Sequence, residues 1–259
     1  MENNLITFEK PNSVTSELFK SLRTNVEFAL KPGKKSIILT SACAGDGKSF
    51  VCSNLATAFT QLGKKVLIVD LDLRKRTQHK IFNISNTTGI SILLNNDNFE
   101  ENIDLNDVLL KFIKKTLVDN LYLITAGPIP HNPSEILMNG NLEKLIKHLE
   151  TMFDYIFIDV PPINVVTDTA IISRYVKNVI LVTSIGKTKV KLLKSAVKTL
   201  KRNKSNILGV VANRVQINKR SNRNSGYGYD YEYTSMVSAN NSKIKQNKYQ
   251  TTRRKTNNF

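Results

Sequence analysis

The chain has 259 residues, 41% of them hydrophobic, which suffices for one full α/β domain with a sizeable core. Lys and Arg number 38 against 21 Asp and Glu, and the resulting net charge of +17 favours a polyanionic partner such as nucleotide, membrane surface or nucleic acid. Only Cys43 and Cys52 are present, with no His beside them at ligand spacing, which excludes a disulfide framework and a zinc site; no signal peptide or spanning apolar run is legible, so a cytoplasmic location is expected.

The first predicted element is a helix over 16–30, with Leu18, Leu22 and Val26 at every fourth position. Glu17, Lys20 and Arg23 lie on another stripe, which pattern alone reads as a solvated charged face. Strand-like runs then alternate with helical ones: 36–40, 48–62, 65–70, 121–125, 133–152, 155–159, 179–183, 187–202 and 207–213. Such alternation implies an α/β fold with a mostly parallel sheet flanked by helices. IILT, VLIVD, YIFID, VILVT and GVVAN are apolar at nearly every position, as central parallel strands are.

Past Asn218 the composition turns to Asn, Ser, Lys, Arg, Gly and Tyr. From Arg214 onward ten basic residues face two acidic ones, a net +8. This segment cannot bury enough apolar surface to offset its ordering entropy. The expected organisation is a folded domain over 1–217 and a disordered basic tail over 218–259.

The segment Ala42-Cys43-Ala44-Gly45-Asp46-Gly47-Lys48-Ser49 fits the Walker A pattern, with Ala replacing its first Gly, and lies between a strand and a helix. Gly45 and Gly47 let backbone N–H groups turn towards phosphate oxygens, and the helix N-terminus adds partial positive charge. Lys48 is expected to reach the β- and γ-phosphates of ATP and Ser49 to hold Mg²⁺; Ala44, Asp46 and Phe50 complete the expected nucleotide contacts. Two strands end in acid beside this loop, giving Asp70 and Asp72 after VLIV and Asp159 after YIFI. Asp159 is the candidate Walker B metal ligand, and Asp70 and Asp72 are candidates for metal contact and general base.

Several motifs in order resemble the bacterial protein-tyrosine kinases that control capsule and exopolysaccharide synthesis in Gram-positive bacteria. They are SELFKSLRTNVEF, SACAGDGKS, VLIVDLDLRKRTQHKIF, GPIPHNPSEIL, YIFIDVPPINVVTD and GVVANRV, spread over residues 13–215. The resemblance implies a P-loop NTPase-like fold and autophosphorylation in trans. It makes Asp70 and Asp72 the carboxylates that assist the metal and activate the tyrosine hydroxyl. Asn213 matches a position where related folds contact adenine, though an Asn ending a strand is equally a turn former. The family's oligomerisation motif Glu-x-x-Arg-x-x-Arg stands here as Glu17, Lys20 and Arg23, and Lys cannot reproduce a bidentate Arg fork. A second departure is Arg76, where the family usually has Pro.

Tyr227, Tyr229, Tyr231 and Tyr233 hold half of the eight tyrosines within seven positions. Gly226, Gly228 and polar neighbours argue against a packed strand there, and the resemblance makes the cluster a self-substrate. It further implies a homo-oligomeric ring such as an octamer, a transmembrane activator whose cytoplasmic segment recruits the kinase to the membrane, and a cognate tyrosine phosphatase. No nucleic-acid partner is expected. The competing readings are a partitioning or cell-division ATPase of the deviant Walker type and a nucleotide-binding regulatory subunit without phosphotransfer. The former normally carries Lys at the loop position occupied by Cys43.

Overall fold

In the computed structural model, which describes residues 5–33, 35–94, 99 and 103–215, apolar runs and helical runs alternate along the chain. The first elements are α1 (Ile6–Glu9), α2 (Val14–Ala29), β1 (Ser36–Ser41), α3 (Lys48–Thr60), β2 (Val66–Asp70), α4 (Gln78–Ile81), α5 (Ile90–Leu93) and α6 (Leu105–Leu110). After them come β3 (Lys114–Lys115), β4 (Leu121–Ile124), α7 (Pro133–Met138), α8 (Asn141–Met152), β5 (Tyr155–Asp159), α9 (Asp168–Ile172), β6 (Asn178–Ser184), α10 (Val190–Arg202) and β7 (Asn206–Asn213). The seven-stranded sheet has the order β3-β4-β2-β5-β1-β6-β7. Every pair is parallel except β3 with β4.

Side chains on successive strand residues leave opposite faces of the sheet, so each strand feeds two cores. Ile37 and Leu39 pack with Phe19, Val26, Leu55 and Phe59 on the side of α2 and α3. Ile38 joins Leu145, Leu149, Ile172 and Leu200 on the side of α8, α9 and α10. Double coverage explains the unbroken apolar runs of β1, β2, β5 and β6, which are buried along almost their whole length.

Three expectations need correction. In α2 the buried residues are Ser16, Phe19 and Val26, while Leu18 is 45% exposed. A spacing of seven follows two helical turns, whereas every fourth residue drifts off the face. The predicted helix over 133–152 breaks at Gly140, whose φ of 85° separates α7 from α8. The GVVAN run is no central strand: among the described residues β7 lies at the sheet edge with a neighbour on one side, and Val210 is half exposed.

The sheet also assembles the site. Asp70 pairs in register with Asp159 across β2 and β5, and Leu39 of β1 pairs with Asp159 on its other side. The carboxyl ends of the three strands therefore meet at one edge, next to the loop leading from β1 into α3.

Candidate active site

Gly45 and Gly47 have φ of 82° and 90°, a region that suits glycine because it has no Cβ. At Gly47 a Cβ would also overlap the Asn213 side chain. The loop is braced from two directions. Asp46, almost fully buried, accepts the Cys43 amide at 3.0 Å and the Thr188 hydroxyl at 2.6 Å. From the end of β7, Asn213 Nδ2 donates to the Asp46 carbonyl at 2.9 Å and Arg214 Nη2 to the Gly45 carbonyl at 3.3 Å. In a trans peptide the N–H points away from the carbonyl, so holding these carbonyls turns the following amides the other way, as an anion cradle requires. The Asn213 and Asp46 side chains thus act on the loop itself. The Cys43 thiol is pushed up by burial and by Asp46, against an opposing effect of Lys187, which disfavours a reactive thiolate and fits a small filler.

Lys48, at the first position of α3, is buried among carboxylates. Its Nζ lies 2.7 Å from Asp72 Oδ2, 3.1 Å from Asp159 Oδ1 and 3.3 Å from Ser49 Oγ. Burial alone lowers its pKa, but Asp159, Asp72 and Asp70 more than compensate and leave it above the ordinary lysine value. The ammonium is fixed in its charged form.

The three predicted carboxylates meet, with different occupations. Asp70 is fully buried; Oδ2 accepts the amides of Thr77 at 3.1 Å and Gln78 at 3.0 Å, and Oδ1 accepts the Asp72 amide at 3.3 Å. Burial first, then Asp159, push its pKa up to about 7, against the lowering effects of Lys48 and the two amides. Asp72 gives one oxygen to Lys48 and the other to the Lys75 amide at 2.8 Å. Asp159 gives one to Lys48 and the other to Gln78 Nε2 at 2.8 Å.

Gln78 is a participant that the sequence pattern does not single out. Its Nε2 also donates to the Ser49 carbonyl at 3.2 Å, while its buried Oε1 has no hydrogen-bond partner among the described residues. Arg74 and Asp168 are another unpredicted pair. Arg74 grips the buried Asp168 carboxylate with Nε at 2.9 Å and Nη2 at 3.2 Å, and Ser134 Oγ donates to the same carboxylate at 2.8 Å. Arg76 donates to the Gly127 carbonyl at 3.0 Å and so ties the loop after β2 to the loop after β4. This gives the departure at Arg76 a structural role. Gln78 and Asp168 lie within quoted motifs, but only the fold shows their partners.

On α2, Glu17 and Lys20 pair with each other at 2.7 Å, and Arg23 donates to the Ala58 carbonyl near the end of α3 at 2.7 Å. Within one chain Arg23 therefore ties α2 to α3, while Glu17 and Lys20 pair inside the helix. The tyrosine cluster and the predicted boundary at 217 lie outside the described residues.

The family described as ParA, the NUBPL iron-transfer P-loop NTPase, matches residues 33–244. The tyrosine-protein kinase YwqD of Bacillus subtilis is 37% identical over 231 residues, covering 88% of this chain and 92% of YwqD. The chain belongs to the bacterial tyrosine-protein kinases. Among solved structures, the chimerical protein CapA2B2 is 36% identical with a TM-score of 0.76, over 84% of this chain and 92% of that one. The kinase domain of Escherichia coli tyrosine kinase ETK is 30% identical with the same TM-score, over 84% and 82%. The septum site-determining protein MinD of Pyrococcus horikoshii, complexed with Mg-ADP, is more distant: 25% identity, TM-score 0.56, and 72% and 73% coverage. The P-loop frame is thus common to both groups, while the closer likeness of this tyrosine kinase is to its own family. No helix among its described residues is long and apolar enough to cross a membrane.

Proposed function

We propose that the chain transfers the γ-phosphoryl group of ATP to tyrosine hydroxyls within its own segment 227–233, on a neighbouring copy, and that this modification regulates capsule or exopolysaccharide synthesis. The observation that carries the proposal is the convergence of Asp70, Asp72 and Asp159 on Lys48 beside the phosphate loop.

In this reading the loop amides and the N-terminus of α3 hold the phosphates. Phosphoryl transfer demands positioning and charge neutralisation more than covalent chemistry from the protein. The tyrosine oxygen forms the new P–O bond, the bond to the β,γ-bridging oxygen breaks, and ADP leaves. A phenol has a pKa of about 10, so a carboxylate within reach must take its proton near neutral pH. Asp72 fits that role better than Asp70. Asp70 spends both oxygens on backbone amides, whereas one Asp72 oxygen bonds only the exchangeable Lys48 ammonium.

Among the described residues no three His, Cys, Asp or Glu side chains converge as a metal cage. Mg²⁺ does not need one, since it is usually held by one or two carboxylates together with phosphate oxygens and water. The Ser49 hydroxyl with Asp159 offers such a hard oxygen set beside the Lys48 ammonium, leaving Asp72 for the tyrosine proton. Bound there, Mg²⁺ would neutralise charge on the β- and γ-phosphate oxygens. Lys48 would then exchange carboxylate for phosphate partners, while Gln78 keeps Asp159 oriented. Asp70 we assign to holding the turn at Thr77 and Gln78.

We further propose the division at residue 217, a ring of subunits, a membrane-anchored activator that recruits the kinase to the membrane, and an opposing phosphatase, all on family likeness. Glu17, Lys20 and Arg23 could join a ring only by exchanging or sharing the intramolecular bonds they make here. The test is incubation with ATP and Mg²⁺, with and without an activator's cytoplasmic peptide, followed by phosphopeptide mapping. Phosphate on Tyr227 to Tyr233, lost when all four are Phe although ATP still binds, is the expected result. ATP hydrolysis without phosphotyrosine under both conditions would favour the partitioning-type ATPase, and binding without turnover the regulatory subunit.

A further inference from the structure

A groove of about 380 Å³ is formed where the loop after β4 meets α5 and α7. Its apolar walls come from Ile92, Pro128, Ile129, Pro130 and Ile136. Ile129 is 60% exposed, in the loop between β4 and α7. Glu135, the only acidic residue among those lining the groove, accepts a hydrogen bond from Asn132 at 2.9 Å.

The basic run Arg74-Lys75-Arg76 directly follows Asp72 and Leu73, and it is fastened to this groove at two points. Arg74 Nη2 donates to Ser134 Oγ at 3.3 Å, at the start of α7 next to Glu135. Arg76 donates to Gly127 O, one residue before the groove wall at Pro128. The groove and the basic loop are thus joined, and Asp72, itself buried against Lys48, lies at the base of that loop. Arg74 is committed to Asp168, while Lys75 is exposed and held through its backbone, its amide donating to Asp72 and its carbonyl accepting from the Thr77 hydroxyl.

We infer that the groove and the Arg74-Lys75-Arg76 loop together select acceptor segments in which tyrosines are interleaved with acidic residues, and that the occupant is this kinase's own segment 227–233. The inference rests on the kinase reading above and adds a substrate class to it. Between residues 216 and 259 the only acidic residues are Asp230 and Glu232, placed between Tyr229, Tyr231 and Tyr233. The rest of that segment is basic and would be repelled by the loop. Attraction over less than a Debye length, roughly 8–10 Å at moderate salt, does not require direct contact. In an extended chain alternate residues share a face at about 6.6 Å spacing, so one ring can approach Asp72 while the next lies along the same surface. A Pro- and Ile-walled groove suits such a ring, because aromatic side chains bring large apolar area with few torsions to freeze.

The experiment uses the full-length kinase with ATP, Mg²⁺ and the synthetic peptide SGYGYDYEYTS, against versions with Asn and Gln, or Lys and Lys, in place of the two acids. Expected is a roughly tenfold higher KM for the neutral peptide and a larger penalty for the basic one, with kcat little changed and a difference that shrinks at high salt. Lys75→Glu should reverse the order, favouring the Lys peptide, while leaving the KM for ATP unchanged. In a second arm, peptides retaining Tyr231 alone, with Phe at 229 and 233, should be phosphorylated several-fold better than those with Ser there, and Ile129→Asp should abolish that preference. Equal kcat/KM for acidic, neutral and basic peptides, or Lys75→Glu without a reversed order, overturns the inference and leaves the kinase standing. Failure to phosphorylate any peptide, with no phosphotyrosine on the chain itself, instead overturns the kinase reading on which it rests.

Discussion

Replacing Lys48 with Met should unfold the site as well as silence it, and pH should reveal this. The ammonium lies 2.7 Å from Asp72 and 3.1 Å from Asp159, and it lowers the pKa of the fully buried Asp70. Removing one partner from a buried ionic network typically costs about 3–5 kcal/mol, because charge is left without compensation. Asp70 sets the pH signature. Its carboxyl ordinarily titrates near 3.8 but is pushed up to about 7 in the fold. Its proton is thus held by the folded state and released by the unfolded one between these values. The corresponding stability is present below about 4 and lost as pH rises through about 7, by roughly 1.4 kcal/mol per unit. In Lys48→Met the Asp70 pKa rises further, so the loss continues above 7 where the wild-type curve has flattened. Urea unfolding of both proteins at pH 6, 7, 8 and 8.5 reads the difference directly. The gap should widen above pH 7 by up to about 2 kcal/mol. A gap independent of pH, or no destabilisation, would refute the reading of Lys48 as the compensating charge.

Asp70→Asn removes the buried charge but sets an amide NH2 against a backbone N–H that Asp70 accepts at Asp72 or at Thr77 and Gln78, so the turn should loosen, with the unfolding midpoint at pH 8 lowered and phosphotransfer down at least tenfold; an unchanged or raised midpoint would contradict the assignment. Gly47→Ala places a Cβ against Asn213 at a φ of 90° and should abolish ATP binding by calorimetry while secondary structure by circular dichroism is kept. Arg23→Ala loses the bond to the Ala58 carbonyl and should lower stability by about 1–2 kcal/mol in the monomer, beyond any effect on assembly measured by sedimentation.

What could be read in advance was whatever the chain encodes locally. A strand, a glycine-bearing loop with Lys and Ser, and a helix lie within some twenty-five residues, and two apolar strands end in Asp, so the loop and its carboxylates followed from spacing and parallel topology. Lys48, Asp72 and Asp159 do touch, as that reasoning requires. Interactions between distant residues were less legible. Asp46 meets Thr188 at 142 positions' separation, and Arg74 meets Asp168 at 94. Gln78 looks like any polar residue at a helix start until β2 and β5 place it under Asp159. Asp70 and Asp72, equivalent on paper, are distinguished by the backbone amides of Thr77 and Gln78 that hold Asp70 and by the Lys48 ammonium that holds Asp72. Strand β7 misled because its apolar residues are only partly covered on both faces and the strand has a described neighbour on one edge, which a linear pattern cannot distinguish from full burial.

The bonds from Asn213 to Asp46 and from Arg214 to Gly45 form a short lever. One arm is the nucleotide loop; the other begins at Val215, where the chain runs on towards the tyrosines. A pull transmitted through Val215 reaches Arg214 across a single peptide and Asn213 across two. On the proposed kinase reading, anything that tethers the chain beyond Val215 is therefore expected to act first on the loop proposed to hold phosphate, and nucleotide release is the measurement that would read it.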